Sequence, residues 1–189
     1  MIHPIMDMPP GSPVLDLSAN APVPEYVYAI GKYLEKRPGI YTTELFSGAG
    51  QPPRDIHMGI DLFGPVGTSL RAFADGRITS RAYNAAAGDY GYTLITEHSW
   101  EGETLFALWG HLAARSVTEN SVGREFKAGD VIAWVGDRHE NGGWPPHVHF
   151  QLCRERPLRC DLPGVVSAAD LEAAIRLYPD PRIVLGPIY

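Results

Sequence analysis

Beyond Ile40 the chain is divided into short segments, rich in β-branched and aromatic residues, by recurring Gly, Pro, Asn and Asp. Such segments suit a pleated, half-buried surface and are too short for ordinary helices. The pattern predicts strands near residues 70–74, 77–82, 92–98, 104–109, 131–135 and 147–152. Two links read as reversals. Ala74-Asp75-Gly76-Arg77 holds the Asp-Gly pair of a tight hairpin, and Lys127-Ala128-Gly129-Asp130 reads as a second turn. A mainly β domain follows.

The flanks read differently. Residues 1–24 are rich in Pro and read as an irregular arm, on the surface or loosely ordered. Val27, Ile30 and Leu34 then fall at helical spacing, flanked by Tyr26 and Tyr33 and stopped by Pro38-Gly39, which predicts one short amphipathic helix. Near the end, Ser167 and Asp170 form a capping-box-like start to a helix with Leu171, Ala174, Ile175 and Tyr178 along one face, ended by Pro179 and Pro181. The 189 residues divide into an arm and helix at 1–40, a β domain at 41–155, and an extension at 156–189 packed on the same domain.

Composition excludes several functions. A net charge of −6 without any Lys or Arg run argues against nucleic acid as partner. No apolar run is long enough to span a bilayer. The first thirty residues contain no Lys or Arg, and Pro4, Pro9, Pro10 and Pro13 break their apolar runs, so the secretory pattern is missing and a cytoplasmic protein is expected. Cys153 and Cys160 are then expected as free thiols.

Of seven histidines, His3, His98 and His139 sit in contexts that read as structural or solvated. The other four are patterned. On a strand, His147 and His149 share one face while Val148 points to the other. In His57-Met58-Gly59-Ile60-Asp61, a turn brings the carboxylate back toward His57, and Gly59 is expected to serve that turn by adopting backbone angles other residues avoid. Trp109-Gly110-His111-Leu112 lies between the two motifs. The glycines at 59, 64 and 67 form no phosphate loop, since no Gly-Lys-Ser or Gly-Lys-Thr follows. Trp144-Pro145-Pro146 reads as a rigid lip ahead of His147.

In order, His57-Met58-Gly59-Ile60-Asp61, Gly67-Thr68, Ala72-Phe73-Ala74-Asp75-Gly76, Trp109-Gly110-His111-Leu112, Gly129-Asp130 and Pro146-His147-Val148-His149-Phe150 resemble the lysostaphin-like, LytM-type zinc metallopeptidases. The resemblance runs from about Tyr41 to Cys153. It implies a compact antiparallel β-sheet domain in which His57, Asp61 and His149 bind Zn2+, with His111 and His147 beside the metal as unligated catalytic groups. Asp161-Leu162-Pro163-Gly164-Val165 and Pro179-Asp180-Pro181 look more particularly like the peptidase-like domain of bacterial proteins that join a kinase-like domain to an aminotransferase. Three positions depart from the family pattern. Trp109 stands where Tyr is common, and Gln151 where Glu is frequent. No Tyr lies just before His57, where Gln51 and Pro52 occupy the approach and Tyr41 is farther back.

The implied chemistry is coherent without the family. Three protein ligands leave a fourth position for water, whose pKa zinc lowers to about 7. One neutral histidine takes the water's proton and a second assists the oxyanion or the leaving amine. His147 is the expected base and His111 its partner. The predicted function is hydrolysis of a peptide or small amide. Two other readings remain open: a non-catalytic, metal-containing module that binds a partner domain or subunit, and a two-His, one-Asp nonheme iron oxygenase.

Overall fold

The computed structural model describes residues 2–19, 27–46, 50 and 52–189. Its strands, in chain order, are β1 (Ala29–Gly31), β2 (Ile56–His57), β3 (Ile60–Phe63), β4 (Ser69–Arg71), β5 (Gly76–Asn84), β6 (Gly91–Trp100), β7 (Glu103–Leu112), β8 (Glu125–Phe126), β9 (Val131–Trp134), β10 (His147–Cys153) and β11 (Val165–Val166). The helices are α1 (Ala114–Thr118), between β7 and β8, followed by α2 (Leu171–Leu177) and α3 (Arg182–Leu185) after β11. One seven-stranded sheet has the order β1-β3-β10-β7-β6-β5-β8, and its pairings are antiparallel. Two-stranded ribbons β11-β2 and β4-β9 flank it. The architecture is the mainly β, antiparallel one expected.

β6 and β7 form the longest pair, and they are joined by a two-residue turn in which Glu101 and Gly102 have φ of 51° and 87°. Two positive φ values in a two-residue loop match the right-handed twist of the strands on either side. β10 is buried along its whole length. Because side chains alternate, Val148, Phe150 and Leu152 enter the core, where Phe150 meets Trp109 at a ring separation of 4.8 Å. His147, His149 and Gln151 point to the opposite face.

The flanks depart from expectation. No helix forms around Ile30: residues 29–31 are a strand paired to β3, and Leu34 follows with φ of 58°. The spacing that suggested a helix joined a buried Ile30 to Val27 and Leu34, which are 64% and 39% exposed, so no continuous apolar stripe exists to bury. Tyr26 lies outside the described residues, as do Gln51, Met1 and residues 20–24 of the arm. The described part of the arm is irregular but not loose. Ile5, Met6, Leu15 and Leu17 are buried, and Ile5 O accepts a hydrogen bond from Arg71 N.

Asp75-Gly76 does not close a hairpin, because β4 pairs with β9 rather than β5. The Lys127–Asp130 reversal is present, with Asp130 N donating to Lys127 O at 3.0 Å. Ser167 Oγ accepts from Asp170 N at 3.3 Å ahead of α2, but Ile175 is 41% exposed, so the buried stripe narrows to Ala174 and Tyr178. Pro179 and Pro181 end α2, and Pro181 then caps α3, where its missing N–H costs nothing. The end of the chain is tied to its beginning. Tyr33 OH donates to Tyr178 O, and Tyr189 OH accepts from Tyr33 N. Both cysteines are free and buried, and burial pushes the Cys160 thiol up to about 11.

Candidate metal centre

Register builds the centre. β3 and β10 pair with Asp61 opposite His149, so the two side chains stand next to each other on one face. The neighbours across the outer edges are Gly31 and Gly110, which leave that face open. His57 arrives from β2, held by β11 through Val165 and by Met58 N donating to Gly164 O. Its Nε2 lies 3.0 Å from His149 Nδ1 and 3.2 Å from Asp61 Oδ1, and the third side of the triangle, His149 Nδ1 to Asp61 Oδ1, is 3.1 Å. All three residues are buried.

Gly59 has a different purpose from the one expected. Its φ is not left-handed, but a Cβ there would sit 2.6 Å from both Cε1 and Nε2 of His149. Glycine at this position makes room for the ligand's ring.

The outer hydrogen bonds leave three lone pairs converging with no proton among them. His57 Nδ1 donates to Lys32 O at 2.9 Å, so Nε2 carries the lone pair. Gln151 Nε2 donates to Pro163 O, which turns Gln151 Oε1 toward His149 Nε2 at 3.0 Å and leaves the Nδ1 of His149 unprotonated. Gln at 151 thus does what a carboxylate does elsewhere: it accepts the ligand's N–H. Burial raises the Asp61 carboxyl, but His57 and Arg37 outweigh it and hold the group well below the usual carboxylate range. Burial, reinforced by Arg37, lowers His57 to about 4. Two imidazole nitrogens and one carboxylate oxygen are the donor set of a divalent metal. A tetrahedral zinc site with bonds of about 2.0–2.1 Å has ligand–ligand edges of about 3.3–3.4 Å. The observed triangle needs an expansion of only a few tenths of an ångström, so the residues fit the ion.

The two further histidines stand alongside. His147 Nδ1 donates to Pro145 O at 2.6 Å, and its Nε2 lies 3.7 Å from Asp61 Oδ1. His111 Nδ1 donates to Asn141 O at 2.8 Å, and its ring is 4.4 Å from that of His147. Both Nε2 atoms are therefore lone pairs. Burial depresses both pKa values, His111 further through its histidine neighbours. His111 sits in a bulge of β7: Tyr92 pairs with Leu112 and Leu94 with Trp109, so Thr93 alone faces Gly110 and His111. The bulge gives His111 a φ of 63°, held by His111 N donating to Tyr90 O and Gly136 N donating to His111 O. A non-glycine residue fixed there re-aims its side chain.

The triangle opens into a cavity of about 290 Å³ walled by Tyr41, Phe46 and Trp144 on one side and Leu162 to Val165 on another. Trp144 is indeed a lip, anchored by its Nε1 donating to Gly88 O. Two residues that sequence reasoning passed over matter here. Arg37, 3% exposed, donates from Nη1 to Asp61 Oδ2 at 2.7 Å. The same nitrogen donates to the Tyr41 hydroxyl at 3.1 Å, leaving that O–H to donate in turn. Tyr41, set aside as too far back, thus reaches the cavity. His98 lies elsewhere, against Thr96 and the Asp75 carbonyl, and His139 is on the surface.

Residues 55–159, more than half of the chain, match the profile of Peptidase family M23. The DD-carboxypeptidase/endopeptidase Mpg of Neisseria meningitidis serogroup B is 38% identical over 96 residues, covering 51% of this chain and 20% of that protein. Lysostaphin of Staphylococcus simulans is 31% identical over 97 residues, covering 51% and 18%. The matched region thus spans about a fifth of the length of these curated relatives. Among solved structures, the catalytic domain of the antimicrobial peptidase lysostaphin from Staphylococcus simulans superposes with a TM-score of 0.53 at 21% identity, covering 85% of this chain and 93% of that one. That likeness concerns the fold. The profile match takes in β2, β3, β7 and β10, the strands that bear the five polar residues: this chain belongs to peptidase family M23.

Proposed function

We propose that the chain is a zinc-dependent amide hydrolase acting on a peptide or a related small amide. One observation carries the reading: three proton-free donor atoms, from His57, Asp61 and His149, converge beside the neutral Nε2 of His147 at the floor of a cavity. Zinc held there supplies a water of pKa about 7 and polarises a carbonyl. His147 is the general base, because its Nδ1–H is spent on Pro145 and its Nε2 is the free lone pair nearest Asp61. His111, its ring 4.4 Å from that of His147, accepts on its free Nε2 the proton that His147 has taken from the water and delivers it to the leaving amine. The Tyr41 hydroxyl, held by Arg37, supplies a donor to the carbonyl oxygen of the substrate.

A finer placement rests on sequence. Asp161-Leu162-Pro163-Gly164-Val165 and Pro179-Asp180-Pro181 support kinship with the peptidase-like domain of proteins joining kinase-like and aminotransferase domains, working beside a partner domain. That kinship is what supports a cytoplasmic address. On that reading the substrate is a short peptide or small amide, since intact cell wall lies outside the compartment.

Elemental analysis with an amide-cleavage assay tests the function. Purified protein is expected to hold zinc and no iron. His147→Ala and His111→Ala are expected to keep the metal and lose turnover by about 100-fold or more. Full activity in both removes the mechanism. Iron in place of zinc moves the chain to the oxygenase class, and bound zinc without turnover across a broad peptide and amide panel moves it to the binding modules.

A further inference from the structure

We propose that Arg37 is a positioning residue that holds Asp61 to ligation through one oxygen and so keeps the fourth metal position open. The proposal rests on reading His57, Asp61 and His149 as metal ligands. Arg37 lies between β1 and β2, outside the residues that match the family profile, so the centre is completed by a segment the family pattern does not describe.

A buried guanidinium is costly unless its donors are matched. Here the fork is divided. Nη1 donates to Asp61 Oδ2 at 2.7 Å and to the Tyr41 hydroxyl at 3.1 Å, while Nε donates to Glu35 Oε2 at 3.0 Å. Glu35 is itself fixed, because its Oε1 accepts from Leu17 N and faces Lys32 Nζ. Lys32 O accepts from Arg37 Nη2 at 3.4 Å and from His57 Nδ1 at 2.9 Å, so one carbonyl supports the ligand His57 directly and the ligand Asp61 through Arg37.

The result is a division of the Asp61 carboxylate. Oδ2 belongs to Arg37, and Oδ1 faces the nitrogens of His57 and His149 at 3.2 and 3.1 Å. A carboxylate free at both oxygens can chelate a divalent ion and fill its remaining position. Held at one oxygen by a charge-assisted bond, it presents a single ligand atom. Space for the pair is built in at Gly31, where a Cβ would stand 2.7 Å from Arg37 Nη2 and 2.9 Å from Asp61 Oδ2.

The test uses cobalt-substituted protein, whose visible bands report coordination number, together with chelator competition for the metal. Arg37→Lys keeps the charge but cannot serve Asp61, Glu35 and Tyr41 at once. Gly31→Ala presses on both members of the Arg37–Asp61 pair from the far side without replacing either. Wild-type protein is expected to show the intense bands of four-coordinate Co2+. Both variants are expected to show weaker, higher-coordinate bands and metal affinity lower by about 10–100-fold. A purely structural role for Arg37 shifts thermal stability and leaves the bands of folded protein unchanged. Wild-type bands and affinity in the folded variants overturn the proposal, and if one variant does not fold the other decides. Wild-type protein that takes up no metal removes the metal-centre reading and this proposal with it, a result distinct from unchanged variants.

Discussion

Replacing Gly59 with Ala should separate the metal from the fold. The new Cβ would stand 2.6 Å from Cε1 and Nε2 of His149 and 2.8 Å from Phe150 O. The backbone oxygen is fixed by the sheet, so the ring has to yield, and an ordinary contact of 3.4 Å requires it to retreat by about 0.8 Å. Metal–ligand distances tolerate only about 0.2 Å. His149 Nδ1 therefore leaves the triangle, and its Nε2–H leaves Gln151. Overpacking of this kind costs about 1–3 kcal/mol of stability, a drop of about 2–12 °C in Tm for a chain of this size. The φ at Gly59 is not left-handed, so the only added backbone cost is the shift at residue 59 that relieves the 2.8 Å contact with Phe150 O. The expected outcome is a folded protein that has lost most of its zinc. Zinc content after gel filtration and thermal unfolding of the metal-free form measure the two effects independently. Gly59→Ala protein that retains stoichiometric zinc at wild-type affinity would refute the argument that this glycine exists to admit the ring.

Gln151→Leu removes the acceptor for His149 Nε2–H and strands Pro163 O, so metal affinity should fall about 10–100-fold in chelator competition, while Gln151→Glu retains most of it. A Leu variant with unchanged affinity would show that packing alone orients His149. Away from the centre, burial lowers His98 from 6.5 to about 4, against the pull of the Asp75 carbonyl. The unfolded chain then binds the proton first. His98's contribution is fully present above pH 6.5 and is lost as pH falls toward 4, a loss of about 3 kcal/mol at most. Urea unfolding of His98→Gln should therefore show a shallower acid slope across that interval, and slopes parallel to wild type would count against it.

The ligands were legible in the sequence because local pattern carries them. Alternation puts His147 and His149 on one face whatever the rest of the fold does, and the short span from His57 to Asp61 limits where the carboxylate can go. The residues around them were not. Arg37 sits in an irregular segment with no periodicity, and its partner Asp61 is 24 residues away, a distance bridged by the pairing of β1 with β3 and of residues 34–37 with 55–57. Tyr41 was dismissed by its distance in sequence from His57 for the same reason. Asp75-Gly76 shows another limit: turn chemistry marks where the chain reverses, not which strands then pair. At Val27, Ile30 and Leu34 helical spacing arose from a three-residue strand and the loop after it, in a stretch too short for periodicity to tell helix from strand. His111's left-handed backbone has no signature in composition, since it is imposed by Thr93 facing two residues across the ladder.

The ties between the two ends of the chain bear on how the protein is made and lost. Tyr33 meets Tyr178 and Tyr189 across 145 and 156 residues, and His57 meets His149 across 92. Contacts so distant in sequence form late, after local units such as the β6–β7 hairpin have paid little entropy to close. A metal that needs the finished triangle therefore binds after the barrier to folding. Its stabilisation falls on the rate of unfolding rather than on the rate of folding. Zinc would act as a latch on the completed molecule: protein stripped of it folds as fast as before but comes apart sooner.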